Sequence, residues 1–385
     1  MKKLLCLIAF VSSQVFGMKG DILTCHLIDS IFLNSEPLAL SFNPQGNKLA
    51  AGLCNGQVAF VSLDGEKPTV DYVKDSEGTV KSVNWSPNGK FFASDFRVKV
   101  NKNKEIYGVS IWNDKCFMSV FLPFFQSNIW CIYDVAWNNS GDLLAVNFQY
   151  CKSKSTTNNI IIVSRDGNFK KELSASGPIK GLAWHSTKQG DTILAYTIDN
   201  IVYTTNVYND QPKVIWKFEK EKGDKGTKEI KKITWSPDGK KLAIGINMGS
   251  EDGRIHILAP SLDGNGETKK LYEFKRNRML MNFSWGPKDF LVASFLSYSD
   301  SDYYQNEKDP IVFYDTKTGN VVGTGKTKSV WPERLAWSGN GALLAIGDDD
   351  TAQCLKDKRL PRVEFYKVVF NNAQEKLNIL DQDKK

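Results

Sequence analysis

The residues of this 385-residue chain that could do chemistry are scattered along it. Its three histidines, His26, His185 and His256, stand at no metal-ligand spacing, which points to structural roles. There is no Gly-x-Ser-x-Gly elbow, no His-Glu-x-x-His pair and no Walker phosphate loop, so the common hydrolase, metalloprotease and nucleotide-binding designs find no support. The acidic runs Ser299-Asp300-Ser301-Asp302 and Asp348-Asp349-Asp350 lack the spaced oxygens and hinge glycine of an EF-hand loop. No catalytic residue, metal or cofactor is assigned, although an enzyme whose site is assembled from distant segments stays open.

Charge and aromatic clusters offer recognition instead. Arg97, Lys99, Lys102 and Lys104 form a basic group with Glu105, and Lys152 and Lys154 form a second. Glu251, Asp252, Asp300, Asp302, Glu307 and Asp309 form an acidic counterpart, and residues 348–359 are mixed. Tyr298, Tyr303 and Tyr304 flank Asp300 and Asp302, and tyrosines on a polar loop offer large contact area at modest entropy cost. The expected partner-binding set is therefore Arg97, Lys99, Lys102, Lys104, Lys152, Lys154, Tyr298, Asp300, Asp302, Tyr303 and Tyr304. Solvated surface charge, and tyrosines packed onto a neighbouring unit, account for the same residues.

The elements that would position these groups are visible in a phrase repeated seven times. It is an apolar-x-x-apolar-x-aromatic strand, a turn rich in Pro, Asn, Asp and Gly, and a second apolar run. The clearest copies run from Val80 through Trp85-Ser86-Pro87-Asn88-Gly89 to Lys90, and from Ile230 through Trp235-Ser236-Pro237-Asp238-Gly239 to Lys240. The others centre on Phe42, Trp137, Trp184, Trp285 and Trp337, at a mean spacing of about 49 residues, a period of solenoids, propellers or arrays. Each unit reads as four strands, a to d from the axis outward, with glycine in the a–b turn supplying positive φ. The fixed place of the aromatics at the end of strand a makes them plates between stacked sheets. Connections between strands b and c are tight in units 1 and 4, as in Leu53-Cys54-Asn55-Gly56, and long in the other five, so every insertion opens onto one rim.

These residues, with the strand endings Ile111-Trp112-Asn113-Asp114 and Phe313-Tyr314-Asp315, give the chain a resemblance to WD-repeat and related Trp-Ser-Pro-Asp-Gly β-propellers over residues 25–381. The resemblance implies an all-β, seven-bladed propeller of four-stranded antiparallel blades, closed by a terminal strand. In that family the N-terminal segment, here residues 26–32, supplies the outer strand of the last blade; residues 375–380 also read as a strand, and which end pairs stays open. No unit carries the Gly-His pair or the strict Trp-Asp ending behind the hydrogen-bonded tetrad of typical WD repeats.

Lys2 and Lys3 precede an apolar run over residues 4–11, then polar residues and Val15-Phe16-Gly17, as in a signal peptide spanning 1–17. The run is far short of the roughly 20 residues of a membrane span. The net charge of +7, lowered by two on cleavage, is a mild bias and no nucleic-acid footprint. Six cysteines would remain, Cys25, Cys54, Cys116, Cys131, Cys151 and Cys354, with no Cys-x-x-Cys pair; they read as free thiols, though export permits disulfides. The expectation is an exported, non-catalytic scaffold, a monomeric propeller within a complex, that binds proteins through its top-rim loops. An exported enzyme or lectin holding a sugar or small molecule at the axis is the alternative, and an intracellular complex-assembly propeller is the third reading.

Overall fold

A sheet of four short strands has two apolar faces and two open edges, so repeated sheets must stack to be stable, and a ring leaves no terminal blade uncovered. The computed structural model describes residues 23–370 apart from 102–103, 114, 116–117, 125–128, 153–154, 176, 188–190, 209–210, 219–227, 250, 263–266, 297–309, 328–331 and 348–360. The described residues form seven four-stranded antiparallel sheets. Six are made of consecutive strands, over residues 37–74, 83–124, 129–175, 182–217, 228–276 and 279–325. Among the described residues, no helix is long and apolar enough to cross a membrane.

The seventh blade joins the two ends of the described chain. Strand β1 (Leu23–Phe32) pairs antiparallel with β28 (Arg362–Phe370), which continues through β27 (Leu343–Gly347) to β26 (Arg334–Trp337). The ladder runs from Leu23↔Phe370 to Phe32↔Arg362 with one irregularity between Leu27 and Asp29. The N-terminal strand thus closes the ring, starting three residues earlier than expected; the C-terminal segment 375–380 lies outside the described residues. Leu23 and Cys25 are buried with Trp337, Tyr366 and Val368, while Ile31 and Leu33 join the core of blade 1. Burial pushes the Cys25 thiol up to about 12, and Cys25 and Cys54 are free thiols.

Seven hydrophobic clusters mark the seams between blades. The repeated aromatics, Phe42, Trp85, Trp137, Trp184, Trp235, Trp285 and Trp337, are all buried there. They also cross-link. Trp137 Nε1–H donates to the Asn84 carbonyl (3.1 Å), Trp184 to Ala136 (2.9 Å), Trp235 to Ala183 (3.2 Å) and Trp285 to Thr234 (3.0 Å). Each acceptor immediately precedes the equivalent aromatic of the preceding blade, so each indole satisfies a buried carbonyl across a seam.

The turn below each aromatic explains its residue types. Ser236 donates to Asp238 Oδ1 (2.7 Å) and accepts the Lys241 N–H (2.9 Å), while Asp238 Oδ1 accepts the Lys240 N–H (3.1 Å). Gly239, at φ 72°, occupies the left-handed position that a side chain would strain. Ser86 and Asn88 repeat the arrangement. Asn88 Nδ2 reaches the Ser140 carbonyl of blade 3 (2.5 Å), and Asn340 Nδ2 reaches Gln45 of blade 1 (2.9 Å). A polar belt thus runs beneath the aromatic wedges and crosses the closure.

Blade 6 departs from the pattern. Where other blades have Ser, Asn or His after the aromatic, it has Gly286, and Trp337 lies over that position. A Cβ there would meet the indole carbons at 2.5 Å, and Trp337 donates instead to Gly341 of its own turn (3.0 Å). Restoring the repeat's usual serine with Gly286→Ser is therefore expected to destabilise the fold by about 1–3 kcal/mol through overpacking. Denaturant unfolding of the variant checks this, and an unchanged midpoint would show that Trp337 is free to move aside.

Candidate functional site: the axial channel and the top rim

Strand a places a polar ring at the axis through a repeated bulge. In blades 1, 3, 5 and 6 the a–b ladder shifts at the residue four before the aromatic, namely Leu38, Tyr133, Lys231 and Met281. A bulge re-aims the side chains that follow. Ala39, Ser82, Asp134, Lys232, Asn282 and Arg334, each three before an aromatic, line an axial channel of about 880 Å³.

The ring ties blades together in two arcs. The Val135 N–H donates to Ser82 Oγ (3.1 Å), joining blades 2 and 3, and the Asp134 carboxyl sits beside Ser82, Val135 and Leu182 of blades 2, 3 and 4, whose polar groups favour its charged form. Lys232 Nζ donates to Asn282 Oδ1 (3.1 Å) and the Phe283 carbonyl (2.9 Å), and Asn282 Nδ2 donates to the Glu333 carbonyl (2.8 Å), joining blades 5, 6 and 7. Burial raises the Asp134 carboxyl to about 6. Burial also lowers the Lys232 ammonium to about 8, with Asp134 opposing that shift and Arg334 adding to it.

Lys81, Lys180 and Lys231 also line the channel, and the last two share Glu229 at 3.6 Å each. Two-carboxylate glycoside hydrolysis needs a second acid across a substrate-wide gap. Among the described lining residues Asp134 is the one carboxylate. The described residues contain no group of three His, Cys, Asp or Glu that could hold a metal ion.

On the top rim, the long b–c connections of blades 2 and 3 turn out to be continuations of the strands. Strand β7 (Phe91–Asn101) pairs with β8 (Lys104–Asn113) out to Asn101↔Lys104, and β11 (Leu143–Lys152) pairs with β12 (Ser155–Ser164) out to Lys152↔Ser155. The inner neighbour of β7 ends at the Val83↔Ser94 pair, so residues beyond Phe96 extend past it as a ribbon. Arg97 and Lys99 are exposed on that ribbon, with Arg97 Nη2 3.7 Å from Glu105 Oε1. Lys104 and Lys152 stand at the hairpin ends by backbone position. Lys102, Lys154, Tyr298, Asp300, Asp302, Tyr303 and Tyr304 lie outside the described residues, as do Glu307 and Asp309. In blade 5, Asp252 is held by Arg254 (two contacts of 2.8 Å) and Lys275 (3.1 Å), which keep its carboxyl below the usual carboxylate range.

A buried network anchors the blade 2 ribbon. Trp112 Nε1–H donates to Ser94 Oγ (2.8 Å), Ser94 donates to Asp75 Oδ2, and Ser110 donates to Asp75 Oδ1 (2.7 Å). Asp95 Oδ1 accepts the Lys81 (2.7 Å) and Ser82 (2.8 Å) N–H groups. Ser76 and Glu77 then take the Arg97 and Lys99 N–H groups. Neither carboxylate carries a sequence motif; Asp95 is an acidic residue in an apolar strand run, and Asp75 follows a strand end with no such signal.

Comparison with known proteins bears on this blade directly. The family described as WD domain, G-beta repeat matches residues 69–100, which contain Asp75, Trp85 and Ser94. The β-propeller domain of Cps50 (Swd1) from Myceliophteria thermophila superposes with a TM-score of 0.62 at 14% identity, covering 89% of this chain and 99% of that domain. The chain is a seven-bladed β-propeller by fold, and residues 69–100 are similar to one WD repeat. No curated protein matches it in sequence. The propeller has no Gly-His pair, yet blade 2 keeps a buried Trp–Ser–Asp chain of hydrogen bonds.

Burial raises Asp75 to about 6 and Asp95 to about 7. A carboxyl raised in the folded state contributes stability that is present at acid pH and lost as pH rises through the folded value. Asp95→Asn keeps Oδ1 for both N–H groups and removes the titration. Between pH 5 and 8 the wild type is expected to lose on the order of 2 kcal/mol relative to this variant. Urea unfolding of both proteins across that range is the measurement, and parallel profiles would rule the effect out.

Proposed function

We propose that the protein is an exported, non-catalytic scaffold that binds protein partners through its top rim. The WD-repeat propeller fold generally mediates protein–protein interaction. The observation that carries the finer reading is the blade 2 ribbon, which presents exposed Arg97 and Lys99 on a strand pair pinned at its base by Ser76 and Glu77. A preorganised basic edge loses little entropy on docking and steers an acidic partner surface toward it.

Export rests on the basic and apolar pattern of residues 1–17. Cleavage there would leave β1, which begins at Leu23, whole, so a processed chain keeps its closing strand. N-terminal sequencing of the native protein decides this: a mature start near residue 18 is expected, and an intact Met1 terminus would move the scaffold inside the cell.

The rim reading has its own test. Arg97→Glu with Lys99→Glu is expected to slow partner association about tenfold or more and to flatten its salt dependence. The melting temperature should not move, because both side chains are exposed. Capture of the same partners at unchanged rates would remove this edge as the working surface.

A further inference from the structure

A second cavity, of about 310 Å³, opens at the seam between blades 4 and 5, away from the axial channel. Its apolar wall is Phe218, Ile246 and Met248, all buried. Trp216 and His256 complete it, and the Phe218 ring contacts both, at 6.3 Å from the indole and 5.2 Å from the imidazole. The volume is that of about ten waters, enough for one leucine-sized group and its polar head.

Two residues of that wall, half-buried Trp216 and buried His256, carry buried nitrogens with no hydrogen-bond partner among the described residues. Trp216 Nε1 has none, and neither does either ring nitrogen of His256, whose side chain is 8% exposed. His256 Nε2 lies 3.3 Å from Glu273 Oε2, while Nδ1 has no hydrogen-bond partner among the described residues. An unmet indole N–H in such a site costs free energy that a suitable acceptor would recover. The field favours an anion. Lys217, Lys228, Arg254 and Lys270 line the cavity, and the nearby carboxylates Asp252 and Glu273 are engaged by Arg254, Lys270 and Lys275.

We propose that this seam binds an apolar carboxylate, its hydrocarbon body against Phe218, Ile246 and Met248 and its anionic head on the Trp216 indole N–H beside His256. Burial holds the imidazole well below its usual range, so it is neutral before binding. An arriving carboxylate at Nδ1 adds a second negative neighbour to Glu273 and draws a proton onto the ring, against the opposing field of Lys228, Arg254 and Lys270. The two nitrogens then donate one bond to the ligand and one to Glu273. Binding is therefore coupled to uptake of one proton from solvent.

The head group could belong to a free small carboxylate or to the C-terminus of a peptide ending in an apolar residue. Isothermal titration of the full chain with isocaproate, isocaproamide, Gly-Gly-Leu and its C-terminal amide separates them. Each acid is expected to bind at least about tenfold more tightly than its amide, with an enthalpy that depends on the buffer's ionisation heat. Comparable affinities for isocaproate and the peptide indicate a small-molecule site, and a peptide advantage of about tenfold indicates a chain terminus. Trp216→Phe keeps the ring and removes the donor, and His256→Phe keeps the stacking and removes both nitrogens. Either is expected to weaken acid binding about tenfold, and Trp216→Phe with the ligand series suffices if the second variant does not fold. Acids and amides binding alike, no binding by any probe, or wild-type affinity in a folded Trp216→Phe variant would overturn the proposal.

Discussion

The antiparallel pairing of β1 with β28 is the contact on which the molecule depends. Every other sheet is made of strands adjacent in sequence and can form locally. The seventh brings together segments more than three hundred residues apart, so it carries the largest loop-closure entropy in the chain. It succeeds because the ladder does two jobs along its length. Leu23 and Cys25 at one end complete the blade 6–7 seam, and Ile31 and Leu33 at the other complete the seam with blade 1. Without β1, both blade 7 and blade 1 would present apolar faces to water. The Asn340 hydrogen bond to Gln45 crosses the same closure on the lower rim.

Within the closed ring, the aromatic wedges and the axial charges share the work of registering blades. An indole that donates across a seam fixes the height of one blade against the next. The Asp134 and Lys232 arcs do the same at the axis with groups whose burial is costly. Such groups contribute little net stability relative to apolar packing, but removing one partner strands the other in a half-buried site. Their worth is specificity of alignment in a fold whose blades are otherwise alike.

Much of this architecture was readable in the repeated phrase, because the aromatic, the turn glycine and the apolar alternation each serve a local need that recurs in each blade. That the two ends meet was readable for a different reason, because a ring has to pair them, but which end supplies the outer strand was not. The b–c insertions of blades 2 and 3 were read as loops although Val98, Val100 and Ile106 alternate with polar residues, the pattern of a strand. Charge drew the reading toward solvent, whereas the backbone pairing decided it. The channel ring is harder to see in the sequence, because Ser82, Asp134, Lys232, Asn282 and Arg334 share a position three before the aromatic but no residue type. Gly286 departs from the residue that usually follows the aromatic, and its meaning lies 51 residues downstream in Trp337.

The rim ribbon, the axial ring and the seam cavity follow from a common asymmetry of the fold. Near the axis, neighbouring strands a are close and their side chains must be small or mutually bonded, which leaves narrow tolerance for variation. Toward the rim the blades splay, and the space between them has to be filled by larger side chains or left open. At the blade 4–5 seam that space is faced with Trp216, Phe218 and His256, where the cluster nearer the axis closes with Ile230, Ile233 and Trp235. Sequence change at the rim therefore costs less than change at the axis. That gradient in tolerance, more than any catalytic constellation, makes the outer seams and the top edge the places where a ring built for stability can acquire a ligand or a partner.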